Sequence, residues 1–267
     1  MNRYEHRMLE ILREGKANCG IVSVKAEFEA EGTRVDELLR LLEIARRADV
    51  KVGVKIGGCE AIRDLMECRQ FGVDYIIAPM IETPYALSKF VLGKDKIFPG
   101  EEQEDIKFLF NVETQSTYDN LAGLADVAGE AGVGMVLGRV DFAGSLGKGR
   151  EYVDSDEMLE KVLAVAAVAR ERNVEMVMGG GVSAKSIEFL RKVRATKLDR
   201  FETRKIIFDG GVLEGGNIEG GLALAIEFEL LWLKSKRDYY NGIGAEDAER
   251  IAMMEARQST KAVRAVA

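Results

Sequence analysis

Two apolar runs in this chain end in a carboxylate followed by threonine: Ile76-Ile-Ala-Pro-Met-Ile-Glu-Thr83 and Phe108-Leu-Phe-Asn-Val-Glu-Thr114. A carboxylate placed directly after a buried run points into a partly dry cleft, where it needs a cation or a hydrogen-bond donor. On pattern alone Glu82 and Glu113 are equals. A third acid, Asp141, sits in Gly138-Arg-Val-Asp-Phe-Ala-Gly-Ser-Leu-Gly147. Its small neighbours let backbone N–H groups approach an anion while the carboxylate holds a cation. Glu113 and Asp141 follow adjacent apolar runs and leave positions free for water and substrate. That pattern suits a hard divalent ion such as Mg²⁺ or Mn²⁺, unless each acid simply caps the helix after it. Zinc is not favoured, because His6 is the only histidine and Cys19, Cys59 and Cys68 have no metal-binding spacing. Lys55, in Val54-Lys-Ile-Gly-Gly58, can stabilise an oxyanion, form a Schiff base or pair with a nearby glutamate. Lys25 and Glu27 end an earlier run. With Glu29 and Glu31, Glu27 forms an acidic cluster that reads either as a recognition site for a cationic group or as a solvated rim.

The elements that must position these residues alternate regularly. Strands are expected over 20–25, 50–56, 73–80, 106–112, 134–140, 174–178 and 205–208, with helices over 35–48, 60–71, 84–92, 115–131, 155–172 and 183–193. Apolar strands separated by amphipathic helices imply a parallel sheet wrapped by helices. Seven units without a break favour a closed (β/α)8 TIM barrel, and no Gly-x-Gly-x-x-Gly follows the first strand to suggest a dinucleotide fold. The eighth strand is expected near the N-terminus, or the barrel is incomplete. Gly179-Gly-Gly181 and Asp209-Gly-Gly211 read as late-strand loops that cradle phosphate, or as plain turns.

A long apolar helix follows from Leu222 to about Tyr239. It is either the last barrel helix or a subunit contact, and a polar helical tail with a frayed end follows it. The division expected is one domain over 1–240 and a tail over 241–267. A net charge of −7 leaves no basic stripe for nucleic acid. Hydrophobic residues at 47% and charged residues at 31% are ordinary for a globular protein with a large core. No run is long enough to span a membrane, no secretory segment leads the chain, and unpaired cysteines fit a reducing cytoplasm.

Together these motifs resemble the HpcH/HpaI aldolase and citrate lyase β-subunit family of phosphoenolpyruvate/pyruvate-binding barrels. The resemblance runs from about Gly20 to Val193. It is carried by Val54-Lys-Ile-Gly-Gly58, Gly72-Val-Asp-Tyr-Ile-Ile-Ala-Pro-Met-Ile-Glu-Thr83, Phe110-Asn-Val-Glu-Thr114 and Val140-Asp-Phe-Ala-Gly-Ser-Leu-Gly147, in the family's order. It implies a carbon–carbon lyase in which Glu113 and Asp141 hold Mg²⁺ or Mn²⁺. Asn111 would contact the bound acid, and the amides around Val140 and Asp141 would face its carboxylate. The substrate would be a small 2-oxo acid, with an aldehyde or acyl co-substrate, handled by a homo-oligomer. Glu82 falls on the strand that does not carry the central ligand, which leaves it a substrate-side or capping role. Two departures stand out. The family's arginine is Lys55, which loses the planar two-pronged donor. The family's histidine is Phe28, so Lys25, Glu27 or a metal-bound water must move the proton. A Schiff-base aldolase using Lys55 and a non-catalytic acid-binding barrel are the alternatives.

Overall fold

Apolar runs of four to seven residues, buried along nearly their whole length, are what a sheet covered by helices on its outer face requires. The computed structural model describes the backbone of residues 1–266 and the side chains of residues 1–258. In chain order the elements are α1 (Arg3–Asn18), β1 (Ile21–Glu27), α2 (Val35–Arg47), β2 (Lys51–Lys55), α3 (Ile62–Phe71), β3 (Tyr75–Ala78) and α4 (Pro84–Ile97). There follow β4 (Lys107–Val112), α5 (Gln115–Asp119), α6 (Leu121–Ala131), β5 (Gly134–Gly138), α7 (Arg139–Ser145) and α8 (Asp156–Glu171). The last are β6 (Met176–Gly179), α9 (Ile187–Arg194), β7 (Arg200–Glu202), β8 (Ile206–Asp209) and α10 (Ile218–Val266). Among the described residues, eight strands close into one barrel in sequence order.

The barrel departs from the all-parallel expectation at one place. Strands β1 to β7 run parallel, but β8 is antiparallel to both β7 and β1. The missing eighth strand is therefore not at the N-terminus, which is helix α1; it is β7, hairpinned to β8 through Thr203-Arg-Lys205. That turn closes with Thr203 N donating to Ile206 O at 2.9 Å. The expected 115–131 helix is two helices that meet at Asn120.

Helix starts follow local chemistry. Asn2 and Glu5 form a reciprocal capping box at α1, Thr83 caps α4 with Pro84 in its first turn, and Thr114 caps α5. The last of these settles one alternative: the cap of α5 is Thr114, and Glu113 is free for other work.

Side chains alternate along each strand. Phe108, Phe110 and Val112 of β4 join the large core between barrel and helices, while Leu109 packs inside the barrel with Tyr75, Ile77, Val136 and Val177. The same period sends Asn111 and Glu113 up the inside towards the C-terminal mouth. Helix α10 packs along α1 and reaches the C-terminal mouth. It buries Leu222, Ala225, Phe228 and Trp232, and leaves Ile226, Leu230 and Leu233 exposed. It continues without a break, so the apolar helix and the polar tail are one element, exposed throughout from Asn241 to Gln258. The frayed end expected of the tail falls on residues whose side chains lie outside those described.

Candidate active site

At the C-terminal mouth the inward-facing strand ends enclose a cavity of about 520 Å³. Lys25, Glu27, Lys55, Asn111, Glu113, Val140 and Asp141, all singled out in sequence, line it together. Glu82 does not. Its carboxylate accepts from Thr114 Oγ1 at 2.8 Å and its carbonyl from Asn120, so it braces the start of α5 instead of facing substrate.

Glu113 is 1% exposed and held from three sides. Its Oε1 accepts from Met80 N at 2.8 Å, and its Oε2 accepts from Asn111 Nδ2 at 2.6 Å. Lys55 Nζ stands 3.6 Å from Oε2. Met80 adopts φ +53°, a left-handed conformation costly for an unbranched side chain, and so aims its N–H at the carboxylate. The first Glu-Thr strand thus serves the second. Burial pushes the Glu113 carboxyl above its ordinary value, with Asp141 adding to the shift, against the opposing pull of Lys55, Met80 N–H and Asn111. The Asn111 amide is fixed by its bond to Glu113, and its Oδ1 is buried with no hydrogen-bond partner among the described residues.

A second charged group faces this one. Lys25 Nζ lies 2.5 Å from Glu202 Oε1 and 3.4 Å from Glu27, all three side chains being buried. Burial disfavours the Lys25 ammonium, but Glu202 and Glu27 outweigh it and raise its pKa above the usual lysine value. Lys25 is therefore a donor and not a free base.

Two glycines make room between these groups. Gly138 of β5 pairs in register with Gly179 of β6. A Cβ on Gly138 would stand 3.2 Å from Glu113 Oε2 and 4.0 Å from Asp141 Oδ2; one on Gly179 would stand 2.9 Å from Glu202 Cγ. Gly180, at φ +79°, packs so close that a Cβ would meet the amides of Arg139 and Val140 at 2.6 Å. The buried Arg139 anchors the adjoining loop through Asp154 at 2.6 Å. That loop carries Arg150, which lines the cavity without an ion-pair partner among the described residues.

The acidic cluster is mostly spent internally. Glu31 is clamped by Lys205 and Arg204, Glu27 also reaches Arg204 at 3.8 Å, and Glu29 pairs with Lys55 at 3.3 Å. Phe28 packs against the core. Asp209 belongs elsewhere: because β8 runs backwards, Asp209-Gly-Gly211 emerges at the opposite mouth and is no phosphate cradle for this site.

The sequence profile of the HpcH/HpaI aldolase/citrate lyase family matches residues 22–197. The chain belongs to this family. No curated protein sequence matches it. Among solved structures, an HpcH/HpaI aldolase from Desulfitobacterium hafniense is similar at TM-score 0.60 and 14% identity, covering 80% of this chain and 85% of that one. An HpcH/HpaI aldolase/citrate lyase family protein from Burkholderia cenocepacia aligns at TM-score 0.59 and 13% identity over 91% and 99% of the two chains. At these identities the likeness speaks for the barrel alone.

HpcH/HpaI membership supports a carbon–carbon lyase acting on small-molecule acids, in a family generally dependent on a divalent metal. The residues present fit such an ion. Two carboxylates converge above Gly138 beside the orphaned Asn111 Oδ1, an all-oxygen set suited to a hard cation. No cluster of three or more histidine, cysteine or acidic residues arranged for a metal occurs among the described residues, so the protein would supply two carboxylates at most. No helix among them is long and apolar enough to cross a membrane.

Glu202, Arg150, Arg204, Ile226 and Glu229 also line the cavity, and none was singled out in sequence. Arg204 at least had a legible signal, as part of the charged turn Thr203-Arg-Lys205 before a β-branched run.

Proposed function

We propose that this protein is a metal-dependent carbon–carbon lyase that works through the enolate of a pyruvate- or oxaloacetate-like 2-oxo acid. The observation that carries the reading is the convergence of Glu113 and Asp141 above a side-chain-free floor, with Lys55 alongside. Glu113 and Asp141 would hold Mg²⁺ or Mn²⁺. Once bound, that ion supplies Lewis-acid stabilisation of the enolate oxygen. Lys55 adds positive charge on the same side. Its ion pairs with Glu29 and Glu113 make it a charge partner rather than an isolated amine, which disfavours the Schiff-base alternative. The amides around Val140 and Asp141 would meet the substrate carboxylate. Asn111 would contact the bound acid, and Arg150 offers a counter-charge for a second anionic group. Lys25 and Glu27 belong to the proton-transfer side of the cavity. The exposed Ile226, Leu230 and Leu233 stripe supports a homo-oligomer.

The test is Glu113→Gln, read by calorimetry with Mg²⁺ and oxalate (an enolpyruvate mimic) and by turnover of 2-oxo acid aldols. Oxalate binding should become strongly Mg²⁺-dependent in the unaltered protein, and the variant should lose at least about 100-fold in Mg²⁺ affinity or activity. Equal binding and turnover by the variant would remove the assignment.

A further inference from the structure

The reaction above leaves one role open. With phenylalanine at position 28, Lys25 held as an ammonium and Glu27 shared between Lys25 and Arg204, the group that accepts the proton when the enolate forms is still to be chosen. The structure assigns that role to Glu202, which resting on the enolate reading becomes the proton-transfer carboxylate of the site, poised over Gly179 opposite Glu113.

Four observations converge. Glu202 ends β7, lines the cavity and is 7% exposed. Lys25 bonds it at Oε1, the oxygen nearest Gly179; Oε2 has no hydrogen-bond partner among the described residues and keeps its lone pairs for a proton. Gly138 and Gly179 are register partners on adjacent strands, so their Cα atoms lie about 5 Å apart. Each has a glutamate leaning over it, Glu113 on one side and Glu202 on the other, each backed by a lysine. A flat three-carbon acid resting on that glycine floor is flanked by two carboxylates in unlike surroundings. Glu113 is fixed on both oxygens by Met80 and Asn111, stands beside Lys55, and is the carboxylate the enolate reading gives to the metal. Glu202 keeps one oxygen free. Unlike environments for two carboxylates are how one site assigns separate roles to each.

The step balances within the site. Glu202 Oε2 takes a proton from C3 of the 2-oxo acid. The C3–H electron pair becomes the C2–C3 double bond, and the C2=O π pair moves to the oxygen, giving the enolate beside Lys55. In the cleavage direction the carboxylate takes the proton of the C4 hydroxyl as the C3–C4 pair becomes the enolate and C4 becomes a carbonyl, and the resulting carboxylic acid delivers that proton to C3. Lys25 and Glu27 face Glu202 throughout: Lys25 holds Oε1 and fixes the rotamer, and Glu27 keeps the lysine charged when Glu202 is protonated.

The experiment is hydrogen–deuterium exchange at the methyl group of pyruvate in D₂O, followed by NMR with the full chain and Mg²⁺, alongside oxalate binding by calorimetry. Oxalate has no proton to give, so its affinity does not need Glu202. Glu202→Gln should slow exchange by about 100-fold or more while oxalate binding stays within about 3-fold. Glu202→Asp, which keeps the carboxylate and the charge on Lys25, should recover part of the rate, and guards against a Gln variant that merely folds poorly. Exchange at the original rate in Glu202→Gln overturns the proposal. So does parallel loss of exchange and oxalate binding in both variants, which would mark a structural ion pair. If the unaltered protein binds oxalate with Mg²⁺ yet never exchanges pyruvate, the enolate reading itself falls and this proposal with it.

Discussion

The barrel has two mouths of nearly the same size, and both are lined with charge. The N-terminal mouth encloses about 520 Å³, as does the candidate site. There Arg200 lies 3.8 Å over the Tyr75 ring and donates to Glu175 at 2.6 Å, while Lys107 reaches Glu175 at 3.4 Å. Asp199 accepts from Met176 N and pairs with Lys197, and Asp209 accepts from Gly211 N. One nitrogen of Arg200 lacks a hydrogen-bond partner among the described residues, but its guanidinium carbon sits 3.8 Å over an aromatic ring. The charges here tie strand ends together. At the C-terminal mouth, by contrast, Asn111 Oδ1, Glu202 Oε2 and Arg150 have no hydrogen-bond or ion-pair partner among the described residues. Charge count does not separate the two ends. What separates them is the glycine pair, which clears space directly beneath unsatisfied groups. Strand β7 shows both behaviours within three residues, sending Arg200 to one mouth and Glu202 to the other.

Filling that space is the most direct way to make the ends alike. Gly138→Ala places a methyl 3.2 Å from Glu113 Oε2, so the carboxylate must shift by a few tenths of an ångström. Misplacement of this kind is expected to lower kcat by roughly 10–100-fold. The melting temperature should hardly move, which a thermal scan beside the turnover assay would check. The reverse substitution of properties sits at the other mouth. Arg200→Met strips a buried partner from Glu175, and should destabilise the fold by about 2–3 kcal/mol, since Lys107 still offsets the acid. The kcat of the folded enzyme should stay within about 2-fold, as judged by denaturant melts and by rates normalised to folded protein.

The smallest effect is on the pH dependence of stability. The Glu113 carboxyl binds its proton more tightly folded than unfolded, so its contribution is fully present below the ordinary carboxylate value of 4.5. That contribution is lost as pH rises through the folded value. Glu113→Gln should therefore remove a downward slope, visible as a difference between the two melting-temperature curves that opens as pH rises above about 4.5. Saturating Mg²⁺, which favours the ionised carboxylate, should flatten the slope of the unaltered chain as well.

Much of the site was legible because its residues end apolar runs. Lys25, Lys55, Asn111, Glu113 and Asp141 each close a stretch of β-branched or aromatic residues, and alternation puts the strand residues among them on the inner face. Glu202 closes no such stretch. Its strand, Arg-Phe-Glu, has a single apolar residue and exists because both neighbours supply hydrogen bonds, so no periodicity reveals it. Asp209 was legible as a strand end but assigned to the wrong mouth, because an apolar run carries no sign of its direction. Helix α1 is hidden in the sequence for a different reason. Met8, Leu9, Ile11 and Leu12 have helical spacing, but the charge around them reads as a solvated terminus until α10 is there to cover it.

The reversed last strand has a bearing on how such a site can diversify. A barrel of parallel strands can vary any of its C-terminal loops without disturbing the wall. Here one of those loops is the three-residue turn Thr203-Arg-Lys205, and turn length fixes hairpin register. A single inserted residue would move Ile206–Asp209 by one position and exchange its inner and outer faces. It would also displace the two cations that clamp Glu31. This side of the mouth is thus closed to innovation by insertion, and new specificity must arise from the other βα loops or from the residues that α10 leans into the opening.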